Sequence, residues 1–114
     1  MIKIYHNARC KKSRSGLQYL KERTDDIEVV EYLKNPINED TIHKLLIMLN
    51  ITPHNLVRTQ ETLYKSNYKG KNFTDNEWVK IMVESPKLIK RPIVVKGNKA
   101  VLGDPDTNLS VFFS

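Results

Sequence analysis

The chain has 114 residues, enough for one domain with one hydrophobic core and too few for two. Its 39% hydrophobic and 28% charged residues are those of an ordinary folded protein, and no apolar run approaches the roughly 20 residues a membrane helix needs. A single cysteine excludes an internal disulfide and a Cys-rich zinc site, and the net charge of +6 favours anionic ligands or partners.

The N-terminus, MIKIYHNAR, lacks the basic-then-apolar plan of a signal peptide, so a cytoplasmic protein is expected. IKIY (2–5) alternates and is β-branched, which suits a strand. Ser13, Gly16, Leu17 and Leu20 then fall at helical spacing, and a helix is expected over Lys11–Arg23. After the polar turn TDD (24–26), IEVVEY (27–32) reads as a second strand. Strand, helix and strand within about 30 residues form a βαβ unit with parallel strands.

KNPINED (34–40) is a loop ending in a cap: Asn38 is the expected N-cap, with Glu39 and Asp40 near the positive end of the helix dipole. Ile42, Leu45, Leu46 and Leu49 follow the i, i+3, i+4, i+7 pattern of an amphipathic helix. Beyond Pro53 the pattern is less regular, with room for a short helix around Thr62–Ser66. FTDNEW (73–78) is the clearest local signal. Thr74 and Glu77 form a capping box, and Phe73 and Trp78 occupy the positions of a hydrophobic staple. Trp78 reads as core packing, and Ser85-Pro86 ends this helix.

IVV (93–95) and AVL (100–102) flank Gly97-Asn98, a two-residue hairpin turn, so these strands are antiparallel neighbours. Asp104-Pro105 reads as an N-cap followed by proline at the first helical position, with Leu109, Phe112 and Phe113 as the apolar face of a last short helix. The expected fold is α/β: one domain over 1–114 with a thioredoxin-like mixed four-stranded sheet. A βαβ half joins a ββα half, with a helical insertion between strands 2 and 3.

HNARCKKSR (6–14) holds the only cysteine, with Arg9, Lys11, Lys12 and Arg14 close in sequence. A lone cysteine is ordinarily a small buried hydrophobe. Here Cys10 follows a strand and starts a helix among cations, a setting that opposes deep burial and favours thiolate over thiol. A reactive Cys10 with a lowered pKa is expected. Ser13 stands where a C-x-x-C motif would place its second thiol; its hydroxyl is expected to face the sulfur, and any resolving thiol must come from another molecule. A cysteine-phosphatase loop would need arginine at position 16, which is glycine. Cys10 and the three histidines show no metal-ligand spacing, so no metal site is expected. The cations are scattered and not interleaved with aromatics, so nucleic acid is not the expected partner.

YHNARCKKSR (5–14), LVRTQE (56–61) and LIKRPIVV (88–95), in this order, resemble the glutaredoxin-coupled arsenate reductases and their ArsC/Spx-type relatives, over essentially the whole chain. The resemblance implies the thioredoxin-like fold and an oxidoreductase that binds no cofactor. In it, Cys10 attacks an oxyanion, and glutathione and glutaredoxin serve as the external reductant. It assigns supporting roles to His6, Asn7 and Ser13, oxyanion and thiolate stabilisation to Arg58 and Arg91, and a cis peptide bond to Pro92. One departure is clear: a third arginine of the reductases, just before the proline of the last helix, is Asp104 here. A glutathione-dependent thiol reductase without arsenate activity is therefore an alternative. So is an Spx-like regulator binding RNA polymerase, although Ser13 removes the C-x-x-C switch usual in such regulators.

Overall fold

A computed structural model describes residues 1–113. The elements are β1 (Ile2–His6), α1 (Lys11–Lys21), β2 (Ile27–Glu31), α2 (Glu39–Leu49), a 3-10 turn at Pro53–Leu56, α3 (Thr62–Asn67), α4 (Asp75–Glu84), a second 3-10 turn at Pro86–Leu88, β3 (Ile93–Lys96), β4 (Lys99–Leu102) and a 3-10 helix at Asp106–Phe112. The strands form one sheet in the order β2-β1-β3-β4. β1 runs parallel to β2 and antiparallel to β3, and β4 returns antiparallel to β3. This is the expected thioredoxin-like α/β sheet. The chain divides into two compact units, one made of Met1–Asn35 with the chain from Arg91 onward, the other of Pro36–Lys90, which is the helical insertion.

In the first unit β1 is the central strand. Its alternation puts Ile2 and Ile4 in a core with Val94 of β3, Leu20 of α1, and Leu109 and Phe112 of the 3-10 helix. Each such buried side chain contributes about 1.5–3 kcal/mol relative to exposure. At the β3–β4 hairpin Gly97 takes φ 61, and Asn98 keeps a negative φ, the arrangement of a turn with glycine at its first central position.

Three expectations in this unit change. Helix α1, expected to run to about Arg23, ends at Lys21, where the Arg23 N–H turns to Leu20 O at 2.9 Å; the Arg23 guanidinium folds back over the Tyr19 ring and donates to the Tyr19 carbonyl at 2.8 Å. Asp104 does not cap the last helix: the Asp104–Pro105 bond is cis, Pro105 holds the N-cap position, and Asp104 is instead ion-paired with Lys12 at 3.1 Å. Phe113 lies past the helix end and is 37% exposed, so the buried face is Leu109 and Phe112 alone.

In the second unit the Asn38 side chain accepts from the Thr41 N–H at 2.8 Å, and Ile42, Leu45 and Leu46 form the buried stripe of α2. Asn50 ends that helix in the left-handed conformation, φ 57. Both halves of the Thr74–Glu77 capping box are made. The staple is present too, with the Phe73 and Trp78 ring centroids 4.9 Å apart, and His54, Tyr64 and Tyr68 complete an aromatic cluster around the buried Trp78. Val57 and Ile89 form an antiparallel bridge, flanked by bonds from Arg58 N to Leu88 O (2.7 Å) and from Lys90 N to Leu56 O (2.9 Å). That bridge fixes the backbone of Arg58.

Candidate active site

β1 delivers the chain to a short loop, and Cys10 is the N-cap of α1. The loop is tied by its own polar groups. Cys10 N donates to Asn7 O at 3.0 Å, Arg9 N to Asn7 Oδ1 at 3.0 Å, and the Arg14 side chain to Ala8 O at 3.1 Å. Ser13 is fully buried. Its hydroxyl accepts from Asn7 N at 3.0 Å and lies 2.7 Å from His6 Nδ1. Its role therefore differs from the expected one: among the described residues its hydroxyl partners are His6 and Asn7, and Ser13 reaches the sulfur through its backbone N–H.

Burial alone would push the Cys10 thiol up. Together, a hydrogen bond from the Arg91 side chain, the backbone N–H groups of Ser13 and Lys12 and the Arg91 charge outweigh it, so the thiol sits below its ordinary value. The sulfur makes no tight side-chain cap bond, yet the N–H groups it attracts are those of the second and third helical positions, where an N-cap acceptor belongs. Burial pushes His6 down against the pull of Glu31, with Lys21 also lowering it, the Ser13 contact raising it and Arg14 lowering it. Neutral His6 with its proton on Nε2 lets the Ser13 hydroxyl donate to Nδ1.

Arg91 is held by its successor. The Arg91–Pro92 bond is cis, as expected, and Pro92 O accepts from Gly103 N at 2.8 Å. The Pro92 ring lies in a slot made by two glycines. A Cβ on Gly16 would stand 2.7 Å from Pro92 Cγ, and one on Gly103 would stand 2.8 Å from the same atom. Glycine within a helix costs about 1 kcal/mol against alanine, so close approach is its reason here. We expect Gly16→Ala to destabilise the protein by about 1 kcal/mol, the overpacking cost exceeding the gain in helix propensity. The melting temperature should fall by about 4 °C. The displaced proline should carry Arg91 with it, so a thiol titration should find Cys10 raised. An unchanged thiol in a destabilised variant would reduce Gly16 to a packing residue.

Of the residues singled out in the sequence, His6, Asn7, Cys10, Ser13, Arg91 and Pro92 all belong to the first unit, and Cys10, Ser13, His6, Asn7 and Arg91 are joined by the contacts above. Arg58 belongs to the second unit, where its guanidinium is hydrogen-bonded and ion-paired to Glu61. Among the described residues no group of three or more His, Cys, Asp or Glu side chains is placed to hold a metal ion, and no helix is long and apolar enough to cross a membrane.

The sequence model of the ArsC family matches residues 5–112. The chain belongs to the ArsC family. It is 42% identical over 106 residues to the uncharacterized protein YfgD of Escherichia coli, covering 91% of this chain and 89% of that one. Over 110 residues it is 34% identical to an arsenate reductase of Neisseria meningitidis, covering 95% and 94%. The solved structure of the arsenate reductase from Vibrio cholerae superimposes with a TM-score of 0.88 at 33% identity, covering 94% of this chain and 92% of that one.

Within this ArsC-family chain, sequence reasoning overlooked Gly103, Glu61 and the Lys12 N–H. Gly16 was visible as a glycine inside a helical pattern, which often marks a close approach. Glu61 stood three residues after Arg58, at helical spacing for an ion pair. Nothing local signalled Gly103, whose neighbour Pro92 is eleven positions away.

Proposed function

We propose that this chain is an arsenate-reductase-like oxidoreductase that works through one cysteine. The supporting observation is the Cys10 sulfur, the only thiol in the chain, held toward thiolate at a helix start beside Arg91. Named arsenate reductases among its relatives support the reaction class. The thiolate attacks the arsenic of arsenate, an S–As bond forms, and one oxygen leaves as water. Glutathione then supplies the second thiol. Two electrons pass to arsenic, arsenite leaves, and Cys10 is left as a mixed disulfide with glutathione. A glutaredoxin thiol removes that glutathione and restores Cys10. Arg91 stabilises the thiolate and the bound oxyanion. Arg58 is assigned to the oxyanion by the resemblance of its segment, and Glu61 would orient its guanidinium.

A second reading, a glutathione-dependent thiol reductase without arsenate activity, is favoured by one observation: Asp104 pairs with Lys12, two residues past the nucleophile, and neutralises a nearby cation. A coupled assay decides between them. With glutathione, glutaredoxin and arsenate, NADPH consumption through glutathione reductase should match arsenite formed. Turnover of glutathionylated peptides with no arsenite would give the protein to the second reading.

A further inference from the structure

β1 and β2 end side by side, with His6 and Glu31 as register partners. At these ends lies a cavity of about 320 Å3, whose lining includes His6, Asn7, Arg9, Glu31, Leu33 and Lys34. Arg9, Glu31, Leu33 and Lys34 have no part in the oxyanion chemistry above. His6 is only 5% exposed, and its Nδ1 is taken by Ser13, so Nε2 is the ring nitrogen left to meet a ligand; in the tautomer where Ser13 donates to Nδ1, it meets it as an N–H donor. The cavity carries both signs of charge. Glu31 and Lys34 face each other at 3.6 Å, and with side chains 39% and 75% exposed this is a weak pair that a ligand can recruit. Leu33 is 45% exposed and offers an apolar wall. The volume is several times that of a tetrahedral oxyanion, and the Glu31 carboxylate opposes a bare dianion.

We propose that this cavity is the glutathione subsite of the Cys10 reaction, a place for a zwitterionic peptide thiol rather than for the oxyanion. It rests on the reading of Cys10 as a thiol resolved by glutathione. That tripeptide has two carboxylates, one ammonium group and a central thiol. Arg9 and Lys34 match the carboxylates, Glu31 the ammonium, the His6 Nε2–H a peptide carbonyl and Leu33 the aliphatic backbone. Arg9 lines the cavity and directly precedes Cys10, so a peptide seated here is anchored one residue along the chain from the nucleophile.

The test uses disulfide exchange and needs no arsenic. The Cys10 thiolate attacks one sulfur of glutathione disulfide. The S–S bond between the two glutathiones breaks, a Cys10–glutathione disulfide forms, and one glutathione thiolate leaves. Rates are measured on the full chain with glutathione disulfide and with neutral 2-hydroxyethyl disulfide, for wild type, Lys34→Glu and Glu31→Gln. We expect the preference of the wild type for glutathione disulfide to fall about tenfold in Lys34→Glu and several-fold in Glu31→Gln. The neutral disulfide should react at an unchanged rate in all three, which also certifies that the variants are folded. S-methylglutathione, which cannot react, should compete in the wild type and lose that effect in Lys34→Glu. An identical preference in all three proteins, or no competition in the wild type, overturns the subsite. If arsenate turnover is absent while the preference stands, the arsenate reading fails and the subsite survives; the reverse result sinks the subsite alone.

Discussion

A Cys10→Ser variant should lose arsenate turnover down to the uncatalysed rate while melting close to the wild-type temperature. Serine keeps the size of the side chain and the N-cap acceptor, so the fold has no reason to suffer. A hydroxyl does not ionise near neutral pH and makes no bond to arsenic or to a second thiol that survives to be reduced. No other cysteine can substitute. The wild-type pH profile follows from the same sulfur. Because Arg91, Ser13 and Lys12 hold the thiol below its ordinary value against the effect of burial, the reactive thiolate should persist below the pH where a free thiol is protonated. Activity should rise with pH through that lowered pKa and then level. Stability has the same sign. Since the folded pKa is depressed, the contribution is complete above the unfolded thiol's pKa and disappears as pH falls through the folded one. Arg91→Ala should move the rising limb of the profile to higher pH and reduce turnover at neutral pH roughly tenfold or more, the usual effect of a lost hydrogen bond to a charged group. Arsenite production by Cys10→Ser would end the proposed mechanism. A wild-type limb in the ordinary thiol range would remove Arg91 from it.

What could be read in the sequence depended on the reach of the signal. The FTDNEW stretch was legible because its capping box and staple are completed within six residues, and the structure makes both. Asn38, the Gly97-Asn98 turn and the alternation of β1 are similarly local. The placement of Cys10 at a helix start was legible for the same reason, since strand and helix signals meet there. Asp104 was misread because capping is a local rule, whereas its actual partner, Lys12, is brought to it by the packing of α1 against the last helix. Ser13 shows a subtler gap. Its spacing from Cys10 was visible, but whether its hydroxyl or its N–H meets the sulfur depends on His6 and Asn7, which claim the hydroxyl. The slot around Pro92 joins α1, the start of β3 and the end of β4, so no window of the sequence contains it.

The Asp104–Lys12 pair sets the second large expectation. Its ends are 3.1 Å apart and about half exposed, so as a stabilising contact it is worth little. Its electrostatic consequence is larger, because it cancels a cation near the first turn of α1, where Lys12 also offers its N–H to the sulfur. Replacing Asp104 by arginine changes the local charge by two units and releases Lys12. At roughly 10 Å and an effective dielectric near that of water, one pair of unit charges is worth about 0.4 kcal/mol. Two units acting on a divalent oxyanion therefore amount to about 1.7 kcal/mol before salt screening, and to about 1.2 kcal/mol at an ionic strength of about 0.01 M. Asp104→Arg should accordingly lower KM for arsenate by about five- to tenfold at low ionic strength, and the gain should shrink as salt is added. The rate with neutral 2-hydroxyethyl disulfide should change little, since that substrate carries no charge. If the wild type makes no arsenite and the variant does, Asp104 is the residue that excludes arsenate, and a thiol or disulfide is the natural substrate. If KM is the same in both proteins at every salt concentration, the charge at position 104 does not act on the bound oxyanion, and Asp104 is not what decides between arsenate and a thiol.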